Sequence, residues 1–367
     1  MKTFNYLFDS VLLIAASFLI IFTPGCTNSN DDDLDPTGKT PVWSYNTGED
    51  PHNSTPCVVN GKVFVCSDYS ISGNGHVHCI TADSGKLVWK TLQTDFFASS
   101  PVVYQDKVIY SGHGARALNI NDGTFEWEYA LPYMNYDSPV LKDNGVYFNG
   151  EVFVKLNATS GNKIWDIPDH YGGVFYGQPP VLKNGRVYYG TSMSQEVFCL
   201  DEGSGAIIWN YQRLYGFLNS PAVSDSSVFF GQNVPYDTIN SLFCCNLDGI
   251  TPKWEKKINM VSTNMLISGD KIYVAGLCTM YCLNTGDGSE IWKYEMSNGA
   301  ADIATLTGNK LIVGTGDDLI CLNASTGALI WSFESQGPSF GFSGATVVGD
   351  KVYASCADGY VYCFNVD

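Results

Sequence analysis

Three sets of side chains in this 367-residue chain have types and spacings that could do chemistry. His76 and His78, in "HVH", would share one face of a strand, a spacing from which two imidazoles can hold a metal ion. Cys244 and Cys245 are adjacent thiols, the raw material of a vicinal disulfide, and they are two of twelve cysteines. Cys26 follows an apolar run and the small residue Gly25, where a thiol could be lipidated. The chain lacks HExxH, GxSxG, a Walker loop and CxxC, so no nucleophile, phosphate cradle or zinc knuckle is announced. What these residues do depends on the elements that carry them.

Those elements repeat. Trp43, Trp89, Trp127, Trp165, Trp209, Trp254, Trp292 and Trp331 stand 38 to 46 residues apart. An aliphatic anchor recurs at Val63, Val108, Val146, Val187, Val228, Ile272, Leu311 and Val352. Pro56, Pro101, Pro139, Pro180 and Pro221 lie seven residues before the first five anchors; Met265, Ala304 and Ala345 replace them in the last three. Gly85, Gly123, Gly161, Gly205, Gly288 and Gly327 lie four residues before a Trp, where a tight hairpin needs positive φ. The fifth unit departs, since "DGITPKW" moves its glycine to 249. Units of about 40 residues holding four short strands predict an all-β fold, a β-propeller of four-stranded antiparallel blades.

Eight anchors predict eight blades. The last unit, "YVYCFNVD", lacks a Trp strand, whereas "PVWSY" at Trp43 is a Trp strand with nothing before it. The N-terminal strand is therefore expected to complete the last blade and close the ring, hiding edges that an open array would expose. One domain over 41–367 follows. A net charge of −17 argues against nucleic acid, whose affinity rests on Lys and Arg meeting phosphates. The domain is expected to be monomeric.

The N-terminal 1–25 reads as a signal peptide: Lys2, the run "VLLIAASFLIIF", then "TPGC". It resembles a bacterial lipoprotein signal with Cys26 as the lipidated residue, although Thr23 and Pro24 depart from that pattern. Residues 26–40, polar and acidic, read as a flexible tether. The resemblance implies anchoring at the bacterial outer membrane, with periplasmic and surface-exposed orientations both open.

The repeat explains most of the reactive residues. Cys79, Cys199, Cys244, Cys282, Cys321 and Cys363 occupy one position of the third strand, too far apart between blades to bridge, and read as buried packing. Cys57, Cys66, Cys278 and Cys356 are less regular, leaving room for one bridge. Cys245 follows the repeat cysteine along a strand, so it should face away from Cys244. His78 falls where other units carry Phe198, Phe243, Tyr281 and Tyr362, so it reads as packing.

The unit "SSPVVYQDKVIYSGHGARALNINDGTFEWEY" resembles the repeat of the quinoprotein family, and the resemblance covers 41–367. It implies that the turn and the eight tryptophans dock neighbouring blades. The family holds two groups. Pyrroloquinoline-quinone dehydrogenases add long insertions, a calcium site, a catalytic Asp and often a vicinal disulfide. Cofactor-free lipoproteins, typified by a barrel-assembly subunit, have eight blades and this chain's size. Spacings of 38–46 residues leave no room for the insertions, so the second group is the closer likeness and neither quinone nor calcium is expected.

In such a ring, the hairpins before each Trp share one face. The other face carries long aromatic loops, with Phe96, Phe97, Tyr133, Tyr136, Tyr171, Phe175, Tyr176, Tyr215, Phe217, Phe340 and Phe342. They either ring the channel mouth as a binding face or plug the centre and the blade seams. The functional expectation is a non-catalytic scaffold that binds an envelope protein through this face. A carbohydrate-binding module and a quinone-dependent dehydrogenase are the alternatives.

Overall fold

The computed structural model describes residues 38–48, 54–67, 75–93, 99–112, 114–131, 138–150, 152–167, 179–191, 196–212, 217–218 (backbone only), 221–233, 240–247, 251–259, 261, 265–296, 304–316, 318–335 and 341–367. Every regular element among them is a strand, and the strands form eight antiparallel sheets. No helix among these residues is long and apolar enough to cross a membrane. The first blade sets the pattern, with strands Cys57–Val59, Lys62–Cys66, Gly75–Thr81 and Leu87–Gln93 hydrogen-bonded in chain order. Pro56 immediately precedes its first strand, where a missing N–H costs no ladder bond, and Pro101, Pro139, Pro180 and Pro221 do the same elsewhere.

Burial follows strand position. The second and third strands are buried on both faces because a neighbouring blade covers each, and Val63, Phe64, Val65, Cys79 and Ile80 are all at 0% exposure. The fourth strand lies at the rim, where Trp89 and Gln93 are buried while Leu87, Val88 and Leu92 are exposed. The apolar clusters span seams, each joining residues of two adjacent blades.

Both ends of the repeat region share the last sheet. Trp43–Asn46 pairs antiparallel with Tyr360–Asn365, in the register Trp43 opposite Cys363. Val63, Val65, Ile80 and Ala82 of the first blade pack against Tyr353, Val361 and Cys363 of the last. Side-chain hydroxyls near the first strands link neighbours around the inner circumference. Thr55 N donates to Ser100 Oγ at 2.7 Å, Ser100 N to Ser138 Oγ at 3.0 Å, and Ser343 Oγ to Ser54 O at 3.2 Å.

Blade 5 differs from its neighbours. Its inner strand is split into Phe217–Leu218 and Ala222–Val223, both paired with Ser227–Asn233.

Candidate functional site

The tryptophans occupy one geometry throughout the ring. Each indole Nε1 donates to a backbone carbonyl of the next blade: Trp43 to Ala82, Trp89 to Ile120, Trp127 to Ala158 and Trp165 to Glu202. Trp209 donates to Leu247, Trp254 to Thr285, Trp292 to Ala324 and Trp331 to Val366, and all eight distances lie between 3.0 and 3.2 Å. The turn glycine supplies the space. A Cβ on Gly85, Gly123, Gly161, Gly205, Gly288 or Gly327 would stand 2.5–2.8 Å from the preceding blade's indole, and all six glycines have φ between +63° and +74°. Glycine is therefore required twice, for its φ and for the missing methyl.

Opposite each Trp on the third strand stands a small side chain in seven blades. It is Cys79, Cys199, Cys244, Cys282, Cys321 or Cys363, or Ala117 in blade 2; Lys155 faces Trp165. Directly after this pair the register slips by one residue in blades 1 to 7, a bulge that twists the edge strand locally.

Several seams add a second donor to the same carbonyl, and nothing in the repeat spacing indicated it. Lys62 Nζ reaches Ile120 O at 3.0 Å, Lys155 Nζ reaches Glu202 O at 3.0 Å and Lys310 Nζ reaches Val366 O at 3.2 Å. The Tyr273 and Tyr353 hydroxyls reach Ala324 O and Ala82 O. The recurring Lys before the anchor was the available signal. Its cross-blade target depends on how two sheets are rotated against each other, which one blade's sequence does not encode.

The thiols are packed and inert. Cys278 is disulfide-bonded, while Cys57, Cys66 and Cys356 lie outside any disulfide, as do Cys244 and Cys245. Cys244 lies in the apolar cluster shared with blade 6, and Cys245 in the one shared with blade 4. The two thus point to opposite faces, and the vicinal-disulfide platform of the dehydrogenases is missing here. Burial pushes the thiols of Cys79, Cys199, Cys282, Cys321 and Cys363 up to about 11 from 9.0. These groups stay neutral at physiological pH, where a thiolate would be needed to react or bind metal.

A pH dependence follows. The unfolded thiols lose protons above pH 9, while the folded ones keep theirs to about 11, so the unfolded state binds fewer protons between these values. Stability is fully present below pH 9 and is expected to fall as pH rises from 9 to 11. Urea midpoints measured across this window should fall less steeply in a Cys79→Ala/Cys199→Ala/Cys321→Ala variant; an identical pH slope would refute the assignment.

His78 is a packing residue with a polar contact at each nitrogen. It is fully buried, with Nδ1 3.1 Å from the Tyr45 hydroxyl and Nε2 3.2 Å from Ser67 Oγ. Its ring meets those of Tyr45 and His76 edge-on. Among the described residues, no three His, Cys, Asp or Glu side chains are grouped to hold a metal ion.

Of the proposed aromatic face, Phe96, Phe97, Tyr133, Tyr136, Tyr171, Phe175, Tyr176, Tyr215 and Phe340 lie outside the described residues, as does Cys26. Phe217 belongs to the extra strand of blade 5. Phe342 is a correction. It is 3% exposed and lies against Phe333 and Tyr362, so it fills the seam between blades 7 and 8 and offers no surface to a ligand. Its strand, Phe342–Val348, buries its first four residues, which loop composition did not reveal.

Comparison with known proteins agrees with this geometry. The family model described as outer membrane protein assembly factor BamB matches residues 32–149, 148–276 and 251–367. The crystal structure of BamB from Moraxella catarrhalis superposes with a TM-score of 0.67 at 17% identity, covering 89% of this chain and 97% of that one. Quinohemoprotein alcohol dehydrogenase from Comamonas testosteroni gives 0.70 at 13% identity, covering 89% and 76%. Tetrathionate hydrolase of Acidithiobacillus ferrooxidans is 23% identical over 186 residues, which is 42% of this chain and 36% of that protein. The solved structures share the eight-bladed fold with this chain; the enzyme relative matches it over a minor part of its own length.

Proposed function

This chain belongs to the PQQ-like-repeat propeller family of the outer membrane protein assembly factor BamB, and on that premise we propose a non-catalytic interaction scaffold. It is tethered through a lipidated Cys26 to the bacterial outer membrane and binds an envelope protein through its aromatic loop face. The observation that carries this reading is the family match, which runs through all eight blades in three overlapping segments. One feature supports it: blades of nearly uniform length leave little chain for an enclosed active site.

Aromatic rings suit such a face because they present large contact area with few rotatable bonds. The test is affinity purification of the tagged mature chain from detergent-solubilised envelopes. A Phe96→Ala/Phe97→Ala/Tyr133→Ala/Tyr136→Ala variant should lose most of the partner while keeping its melting temperature. Undiminished recovery would remove the loop face from the reading. Cys26→Ala should move the chain from the detergent phase to the aqueous phase in Triton X-114 partition.

The likeness to quinohemoprotein alcohol dehydrogenases makes a second reading worth one assay. Incubation with pyrroloquinoline quinone and calcium should give no dye-linked oxidation of alcohols or sugars. Reconstituted turnover would replace the scaffold with a dehydrogenase.

A further inference from the structure

The outer strand of each blade ends its sheet, so its unpaired backbone edge faces the rim. In blade 7 that edge is already in use. Lys39, from the arm that leads to Trp43, donates its N–H to Ser332 O at 2.9 Å, outside the sheet. Ser332 lies opposite Ile320 on the third strand, and Lys90 of blade 1 lies opposite His78 at the equivalent place, one residue after the Trp. By this equivalence, and by the alternation of an antiparallel ladder, Val88, Lys90 and Leu92 turn their N–H and C=O groups outward. Their side chains share one face, since Trp89 and Thr91 enter the seam with blade 2, where Thr91 Oγ1 donates to Gly123 O at 2.7 Å.

Blade 1 differs from its neighbours along this face. Leu92 is 51% exposed, and at its position the other described outer strands carry Asn46, Ala130, Gln212, Lys257, Glu295 and Glu334. Val88 is 44% exposed, so Lys90 stands between two bare aliphatic side chains. Charges on several other rims are matched within the blade: Arg116 with Glu128, Lys163 with Asp166 and Lys293 with Glu295. Lys90 has no carboxylate partner among the described residues, in a chain of net charge −17. Its strand, Leu87–Gln93, runs for seven residues with neither proline nor carboxylate. Of the devices that keep sheet edges from pairing, it has the lysine and little else.

We propose that the outer edge of blade 1 docks an extended segment of a partner protein by strand addition. The segment adds antiparallel and places aliphatic, acidic and aliphatic side chains, at alternate positions, opposite Leu92, Lys90 and Val88. Main-chain hydrogen bonds to these three residues supply affinity, and the carboxylate opposite Lys90 fixes the register. A slip of one residue would turn all three matched side chains to the wrong face. A second copy of the same strand is the poorer occupant. Antiparallel self-pairing centred on this strand sets Lys90 opposite Lys90, and like charges directly opposite each other are destabilising. The edge uses neither the aromatic loops nor a lipid anchor, so it stands or falls separately from the scaffold reading.

The probe is a fluorescein-labelled peptide, Thr-Val-Thr-Glu-Thr-Val-Thr, titrated with the mature chain and followed by fluorescence polarisation. Saturable binding is expected, roughly tenfold weaker for the same peptide with Lys in place of Glu. Lys90→Glu, at an exposed position, should reverse that preference. Leu92→Ser should weaken binding of the Glu peptide severalfold at an unchanged melting temperature, and it decides the matter if Lys90→Glu misfolds. N-methylation of the central Glu should abolish binding, whereas N-methylation of the Thr on either side, whose N–H points away from the edge, should spare it. Absence of saturable binding overturns the proposal. So does equal affinity for the two peptides, an unchanged preference in folded Lys90→Glu, or equal loss from both N-methylations. Sedimentation of the mature chain alone should show a monomer; a dimer lost in Leu92→Ser would give the edge to a second copy and overturn the proposal.

Discussion

Trp292→Ala is expected to lower the unfolding free energy by about 3–5 kcal/mol, the range for truncating a large buried aromatic side chain. Trp292 is 7% exposed, packs in the cluster shared by blades 6 and 7, and donates to Ala324 O at 3.0 Å. The substitution removes ring contacts, leaves a cavity against Gly327 and leaves the Ala324 carbonyl to the Tyr273 hydroxyl, without the indole donor. Total stabilities of about 5–15 kcal/mol make this a large fraction of the whole. Trp292→Phe should recover most of the apolar part, leaving the loss of the hydrogen bond, about 1 kcal/mol net, and of the smaller ring's missing contacts. Urea denaturation followed by Trp fluorescence, with seven indoles remaining, measures both. A loss under 1 kcal/mol in the Ala variant would mean that the seams are held by the inner strands and not by the indoles.

The partner of that indole should be nearly as sensitive. Gly327 has φ +74°, and a Cβ there would sit 2.6 Å from Trp292 Cε3. Gly327→Ala combines a left-handed backbone cost of about 1–2 kcal/mol with an overpacking cost of about 1–3 kcal/mol. Gly308 separates the two terms. Its φ is +56°, and nothing lies within 4 Å of its would-be Cβ, so Gly308→Ala should show the backbone cost alone. The overpacking cost should also vanish when Gly327→Ala is made in the Trp292→Ala background, because the ring that it strikes is gone. A double-mutant cycle with zero coupling would show that the glycine answers only to φ.

Legibility differed between seam and face for a physical reason. Trp89, Gly123 and Cys79 recur at fixed spacings because each copy solves the same packing problem against its neighbour, so repetition exposes them. His78 was legible in the same way, through the aromatic residues at its equivalent positions. Phe342 was not, because the loop-like run "GPSFGFSG" ends in the strand Phe342–Val348, whose first ring packs into a seam.

By itself the sequence determined the repeat, the number of blades, the identity of the docking residues and the need for glycine at their turns. Each of these is a local rule repeated from blade to blade, legible from period and residue type. Tertiary structure alone decided which carbonyl each indole meets and that Lys62 and Tyr353 share such carbonyls. It alone turned Cys244 and Cys245 into different seams. These outcomes rest on the rotation of one sheet against the next. That angle is set by the summed packing of two blades, and no stretch of a single blade contains it.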